Sequence, residues 1–302
     1  LSARNSSEVN LYLDKVKQYE ALQSAPPLPW MKEVLHFGGG DNIAQQTTIS
    51  YYLNELKRII EDTCYGGKVT SYFKNSPDPI EINQSDSLMA KINAGVSFMQ
   101  FFGHASGSSF DISTDDPSNY QNQGKYPIVS ASSCFAGNVH DVPKSVGERF
   151  VLQAQKAAVA FLASVGLGYE FYLYRYDTTL YKNIAFRNYG QSFSRIIQQT
   201  CKQLTDASPT DIRVKQVNNE MTLQGDPALK LNYWGKPDYV ADESNVSFSP
   251  TSITTDLENF SVKFVMISSM TTGSSFRGQV NCTPVPFKLT CCLGLNWKAT
   301  IF

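Results

Sequence analysis

Two short segments set one reactive side chain among small neighbours: Gly103-His104-Ala105-Ser106-Gly107 and Ser132-Ser133-Cys134-Phe135-Ala136-Gly137. A thiol beside an imidazole is a minimal apparatus for covalent acyl transfer. A free thiol has a pKa near ~8.5 and is little ionised at neutral pH. An adjacent imidazole takes its proton and later returns it to the leaving amine. The oxyanion formed on the way needs donors, and the backbone N–H groups of Ala105 and Cys134 lie where such donors are expected, one donor being worth ~2.7–4 kcal/mol of barrier. Taken singly, a cysteine at a strand end reads as a small buried hydrophobe, and a lone histidine as a satisfied structural residue. The pairing of the two segments gives the catalytic reading its weight.

The elements in front of these segments explain how they meet. Val96-Ser97-Phe98-Met99-Gln100-Phe101-Phe102 leads into the first, Ile128-Val129-Ser130-Ala131 into the second, and Ala157 to Ala163 is a third run of the same kind. Such nearly continuous apolar runs are strands buried on both faces. Val34 to Phe37 and Lys68 to Phe73 are two more strands. Helical spacing recurs between them, as in Val9, Leu13, Val16, Tyr19 and Leu22 behind a Ser6-Ser7 cap, and in Ile49, Leu53, Leu56 and Ile60. Leu88, Met89 and Ile92 mark a further helix, and others are expected at 171–187, 191–203 and 210–220. Alternation of this kind predicts parallel βαβ units, an α/β fold. Sites of open parallel sheets lie past the carboxyl ends of strands, so adjacent strands would project His104 and Cys134 from one edge. The connection from Phe110 to Pro127 is polar and without helical spacing, and reads as one wall of a substrate cleft.

Bulk properties exclude several classes. Of 302 residues, 42% are apolar, enough for a full α/β domain and a smaller module. Twenty-six basic against 27 acidic residues, a formal charge of -1, give no reason to expect nucleic acid or an anionic membrane as partner. No apolar run approaches the ~20 residues of a membrane span. Leu1 to Ser6 reads as the interior of a longer chain. After residue 236 the pattern changes to short β-type runs around Val246, Phe248, Ile253, Phe260, Val262 and Phe264. Residues 237–302 are therefore expected to form an incomplete immunoglobulin-like β-sandwich or a disordered tail behind a domain at 1–236. The six cysteines follow no zinc spacing, and Cys64, Cys134 and Cys201 are expected to be free thiols, Cys64 and Cys201 in the core. No metal or cofactor is expected.

Other motifs read as structural. His36 sits inside an apolar strand, and His140 in a solvated loop. Gly38-Gly39-Gly40 follows a strand as a phosphate loop does, but without GxGxxG or Gly-Lys-Ser/Thr. Asp115-Asp116 reads as a solvated acidic loop, and Gly225-Asp226-Pro227 as a turn held by Asp226. No GxSxG elbow supports a serine hydrolase.

The runs FFGHASG (101–107) and SASSCFAG (130–137), with Gly147-Glu148-Arg149-Phe150, AAVAFLASVGLGY (157–169) and LQGDPALKLN (223–232), resemble the gingipain-type cysteine peptidases of clan CD. The type IX secretion sortase branch is the nearest in pattern, over residues 1 to 235. The resemblance implies a caspase-like parallel sheet flanked by helices, a His104/Cys134 dyad, and oxyanion donors at the backbone of Ala105 and Cys134. It implies protein or peptide substrates, other type IX secretion components as partners, and work at the outer face of a bacterial outer membrane. There a sortase removes a C-terminal sorting domain and joins the new end to lipopolysaccharide. The family also implies an acidic partner for the histidine, for which Asp41 is the candidate. Ala105 stands where the family has glycine. That departure supports an alternative reading, a catalytically silent binding or assembly module of a secretion complex.

Overall fold

The computed structural model describes residues 1–76, 85–105, 109–112, 116–140 and 144–234, together with the short strands Leu289–Thr290 and Asn296–Trp297. The chain divides into two compact units, Leu1–Tyr233 and Trp234–Phe302. In the second, Leu289–Thr290 pairs antiparallel with Asn296–Trp297. The sandwich expected at 237–302 otherwise lies outside the described residues.

The first unit is built on a six-stranded sheet. Its strands are β1 (Glu33–Gly38), β2 (Lys68–Phe73), β3 (Phe98–Phe102), β4 (Ile128–Ser132), β5 (Ala160–Ser164) and β6 (Met221–Gly225), in the spatial order β2-β1-β3-β4-β5-β6. Every pairing is parallel except β5 with β6. Strands β3, β4 and β5 are buried at every position, which is what continuous apolar runs between two helical layers require. The antiparallel edge strand β6 is absent from the sequence reading. It follows a helix without a breaking residue, and its five residues carry no strong alternation.

The helices are α1 (Ser6–Gln23), α2 (Ile43–Glu61), α3 (Ser85–Ala94), α4 (Val146–Val151), α5 (Glu170–Lys182), α6 (Phe193–Ala207) and α7 (Ile212–Glu220). Helix α1 is capped by Asn5, whose side chain accepts from the Glu8 N–H, so Ser6 and Ser7 are its first residues rather than its cap. Helix α2 buries Ile49, Leu53, Leu56 and Ile60, the positions its spacing selects. The helix expected to run to 187 leaves α-geometry at Asn183 and ends in a π-helical turn, Asn183–Arg187. The link after residue 110 contains a short 3-10 turn, Pro117–Asn119, and sinks Phe110, Ile112, Tyr120 and Tyr126 into the core. Much of the segment expected to be a cleft wall is thus packing surface.

Candidate active site

Backbone bonds carry the sheet beyond its strand ends. The Lys74 N–H donates to Gly38 O (2.8 Å), the Gly39 N–H to Phe102 O (2.8 Å) and the Gly103 N–H to Ser132 O (3.3 Å). Phe102 and Ser132 are register partners in the parallel pair β3–β4. His104 and Cys134 each stand two residues past these partners, so both leave the same edge of the sheet on neighbouring strands.

On the histidine side the chain reverses at once. Ala105 and Phe110 form an antiparallel bridge, and the Asp111 N–H donates to His104 O at 3.0 Å. The His104 ring is partly exposed, with Nε2 2.9 Å from Gln45 Oε1 and 3.4 Å from Asp41 Oδ2. Gln45 Oε1 also accepts from the Asp41 N–H (2.9 Å), so it is the acceptor in both contacts and Nε2 is the donor. In the neutral ring this leaves Nδ1 with the lone pair that can take a proton. The local reason for the arrangement is the start of α2: Asn42 caps it by accepting from the Gln45 N–H at 3.1 Å, which sets Asp41 and Gln45 one turn apart beside the imidazole. The sequence reading selected Asp41 and missed Gln45. The Asn42 cap, with a polar residue three positions on, was the available signal.

On the cysteine side the turn after β4 is tied to the end of β5. The Phe135 N–H donates to Gly166 O (2.9 Å) and the Gly137 N–H to Ser164 O (2.9 Å). The Gly168 N–H points at Cys134 Sγ (3.3 Å), whose own contact to Gly168 O is 3.8 Å. Phe135 is held at φ 57°, a left-handed conformation that a bulky side chain seldom adopts. Its side chain is exposed, as is that of Leu167. A side chain at Gly137 would meet Ala163 O at 2.6 Å, which keeps that turn tight. The His104 ring and the Cys134 sulfur do not hydrogen-bond to each other: the ring faces Gln45 and Asp41, and the sulfur faces Gly168. The two backbone amides named as oxyanion donors, Ala105 and Cys134, donate to no protein acceptor among the described residues. Ala105 does not adopt a positive φ, so its methyl group brings no backbone strain.

Beneath the histidine turn lies a group the sequence reading passed over. The Asp111 carboxylate is buried where the loops after β1 and β3 meet, and Oδ2 accepts from the Gly40 N–H at 2.7 Å. A Cβ at Gly39 would lie 2.0 Å from Oδ1, and one at Gly103 would lie 2.7 Å from it. Gly39, Gly40 and Gly103 therefore form an internal cradle for a carboxylate. Buried Lys74 places Nζ 3.8 Å from Oδ2. Burial raises the Asp111 pKa above the ordinary carboxyl range, and the Gly40 N–H and Lys74 pull it back. Beneath the cysteine turn, Asp177 of α5 accepts from the Ser132 hydroxyl (2.6 and 2.8 Å to its two oxygens) and from Gln100 Nε2 (3.2 Å). It has no cation partner among these contacts, and burial pushes its pKa up to about 8.

The remaining candidates are distributed elsewhere. His36 is fully buried in β1 with Nε2 2.9 Å from the Tyr181 hydroxyl, and burial lowers its pKa to about 3. His140 is exposed, and its N–H donates to Asn138 Oδ1. Asp116 caps the 3-10 turn, and Asp115 lies outside the described residues. Asp226 accepts from the Ala228 N–H at 2.8 Å in its turn. Cys64, Cys134 and Cys201 form no disulfide among the described residues and are half-buried. Among the described residues no group of three or more His, Cys, Asp or Glu is placed to hold a metal ion. None of the helices there is long and apolar enough to cross a membrane.

A mostly parallel sheet between helices, with a histidine and a cysteine leaving the carboxyl ends of two adjacent central strands, defines the caspase-like α/β class. Within that class the chain belongs to peptidase family C25, whose family model matches residues 1–232. Solved structures agree on the fold. One described as the structure of a protease superposes with a TM-score of 0.63 at 18% identity, covering 87% of this chain and 60% of that one. The crystal structure of the Arg-specific cysteine proteinase gingipain R gives 0.60 at 14%, covering 88% and 61%. The complex of the pro- and mature domains of RgpB from Porphyromonas gingivalis gives 0.61 at 13%, covering 88% and 62%. The chain thus spans about 60% of the length of these structures. No curated protein matches its sequence significantly.

Proposed function

We propose that this chain carries the peptidase centre of a cysteine endopeptidase, with Cys134 as nucleophile and His104 as its base. The observation that carries the reading is the register of β3 and β4, which sets both side chains two residues beyond paired strand ends. In the reaction, His104 Nδ1 takes the proton from Cys134 Sγ as sulfur bonds to the substrate carbonyl carbon. The carbonyl becomes an oxyanion facing the Ala105 and Cys134 amides, which hold no other acceptor among the described residues. Collapse breaks the C–N bond, the imidazolium proton leaves with the amine, and a thioester remains on Cys134. Water resolves the thioester in hydrolysis, and an incoming amine or hydroxyl resolves it in transpeptidation. Gln45 and Asp41 orient the ring from the Nε2 side.

The finer assignment is a sorting transpeptidase that removes C-terminal sorting domains of secreted proteins at a bacterial cell surface, with other type IX secretion components as partners. Support for it is the residue pattern at 101–107 and 130–137. Cys134→Ala is expected to lower turnover of a fluorogenic peptide pool by about 10³-fold or more. A variant that retains full turnover excludes Cys134 as the nucleophile. Added amine acceptor should divert product from acid to amide if the enzyme transfers, and leave the product ratio unchanged if it only hydrolyses.

One observation favours a second reading, a silent binding module: the sulfur and the imidazole do not hydrogen-bond to each other. Catalytic contacts often tighten only on substrate binding, so labelling decides. An electrophilic peptide probe that labels Cys134 no faster than Cys64 or Cys201 favours the silent module.

A further inference from the structure

We infer that Asp111 is a positioning residue for the reaction: its carboxylate, seated among Gly39, Gly40 and Gly103 opposite Lys74, fixes the turn from which the His104 ring and the Ala105 amide project. The inference rests on the Cys134/His104 assignment proposed above. Asp111 reaches the described residues at both ends of that turn. Its own N–H holds His104 O at 3.0 Å, and its neighbour Phe110 bridges to Ala105. Its side chain accepts from the Gly40 N–H at 2.7 Å and faces Lys74, which follows β2 directly. Neither Gly39 nor Gly103 has room for a methyl group beside it, the contacts being 2.0 and 2.7 Å. One carboxylate thereby gauges the separation of the loops that follow β1, β2 and β3.

Stability alone accounts poorly for this group. Replacing a buried ion pair by apolar side chains is often neutral or stabilising. Here the pair is also loose, since Lys74 Nζ stands 3.8 Å from Oδ2 and is buried without a hydrogen-bond partner among the described residues. Incompletely satisfied buried groups call for a reason beyond packing. Holding a general base and an oxyanion donor on one short reversal is such a reason, because a misplacement of about 1 Å costs on the order of 10²-fold in rate.

The test compares Asp111→Ala, Asp111→Asn and Gly103→Ala in the 302-residue chain, each assayed well below its own melting temperature. Steady-state kcat and KM are measured on the fluorogenic peptide pool. The pH profile of Cys134 alkylation by iodoacetamide is measured beside that of His104→Ala. Gly103→Ala keeps every charge while crowding Asp111 Oδ1 and the Gly39 backbone, and it serves with Asp111→Asn if Asp111→Ala does not fold. The expected result is a fall in kcat of about 10²-fold for Asp111→Ala and Gly103→Ala. KM should change by no more than about threefold, the pattern of an interaction that acts on the transition state. The alkylation profile should move toward that of His104→Ala. Lowered melting temperatures with unchanged kcat, KM and alkylation profile would overturn the inference while leaving the dyad intact. A Cys134→Ala protein that still turns over substrate would overturn the dyad, and this inference with it.

Discussion

The loop that carries His104 and the loop that carries Cys134 each rest on a buried aspartate, and the two are held by opposite means. Asp111 meets a backbone N–H and a lysine, which offset part of the rise that burial gives its pKa. Asp177 meets a hydroxyl and an amide, with no cation among its contacts, and its pKa of about 8 keeps it mostly protonated at neutral pH. The remaining support differs in the same sense. The cysteine turn is bonded backbone to backbone onto β5, at Phe135–Gly166 and Gly137–Ser164. The histidine turn adds to its own backbone bond, from the Asp111 N–H to His104 O, the side chains of Asp111, Gln45 and Asp41. In this chain the nucleophile's position is a property of the sheet. The base shares that register, and its ring is oriented in addition by a few polar contacts that can be altered singly.

Removing the cation should give the largest effect. Lys74→Met leaves Asp111 in its cradle with amides alone. Breaking a buried pair in this way costs about 3 kcal/mol, or roughly 6–12 °C in melting temperature for a domain of this size. The deficit has a definite pH dependence. A carboxyl whose folded pKa is raised contributes stability that is present below its unfolded pKa and lost as pH rises through the folded value. Without Lys74 the Asp111 pKa moves further up, so the gap between variant and wild type should widen from pH 4 toward neutrality. A gap independent of pH would mean that Lys74 acts through packing alone.

Asp177→Asn should show the opposite slope relative to wild type, because it removes the ionisable group rather than its partner. The folded Asp177 pKa of about 8 lies above the ordinary carboxyl value, so wild type loses stability as pH climbs through about 8. Asp177→Asn keeps acceptor and donor positions for Gln100 and Ser132 and cannot ionise. Its melting temperature relative to wild type should rise by several degrees between pH 5 and pH 9, each ~1 kcal/mol being worth about 2–4 °C. Differential scanning across that range reads both aspartates in one experiment, and slopes of the same sign for Lys74→Met and Asp177→Asn would erase the contrast.

The sequence announced the two strand ends because long apolar runs stop abruptly at small residues, and because equal offsets from paired strands need no knowledge of loops. It did not announce what lies beneath them. Asp111 sits in a polar link that reads as cleft wall, and the glycines that make room for it, Gly39, Gly40 and Gly103, state only that something approaches closely. Which carboxylate fills the gap depends on a reversal between Ala105 and Phe110 that composition does not encode. Gly168 was hidden likewise: its N–H reaches Cys134 from a loop 34 residues later. The β6 edge and the π-helical turn at Asn183–Arg187 were missed for a simpler reason, since no breaking residue separates either from the helix before it.

The contacts around Nε2 should give the smallest effect, and they sharpen the account of how the base is held. Gln45 makes the shorter contact to the ring, at 2.9 Å, and Asp41 the longer, at 3.4 Å with its side chain 65% exposed. An exposed ion pair at such a distance contributes little, whereas a hydrogen bond that fixes a tautomer is worth about 0.5–1.5 kcal/mol. Gln45→Ala is therefore expected to lower kcat by about 2–10-fold, and Asp41→Ala by less. The reverse order would identify Asp41 as the acidic partner of the imidazole once substrate closes the site, and would show that the ring turns from the amide to the carboxylate on binding.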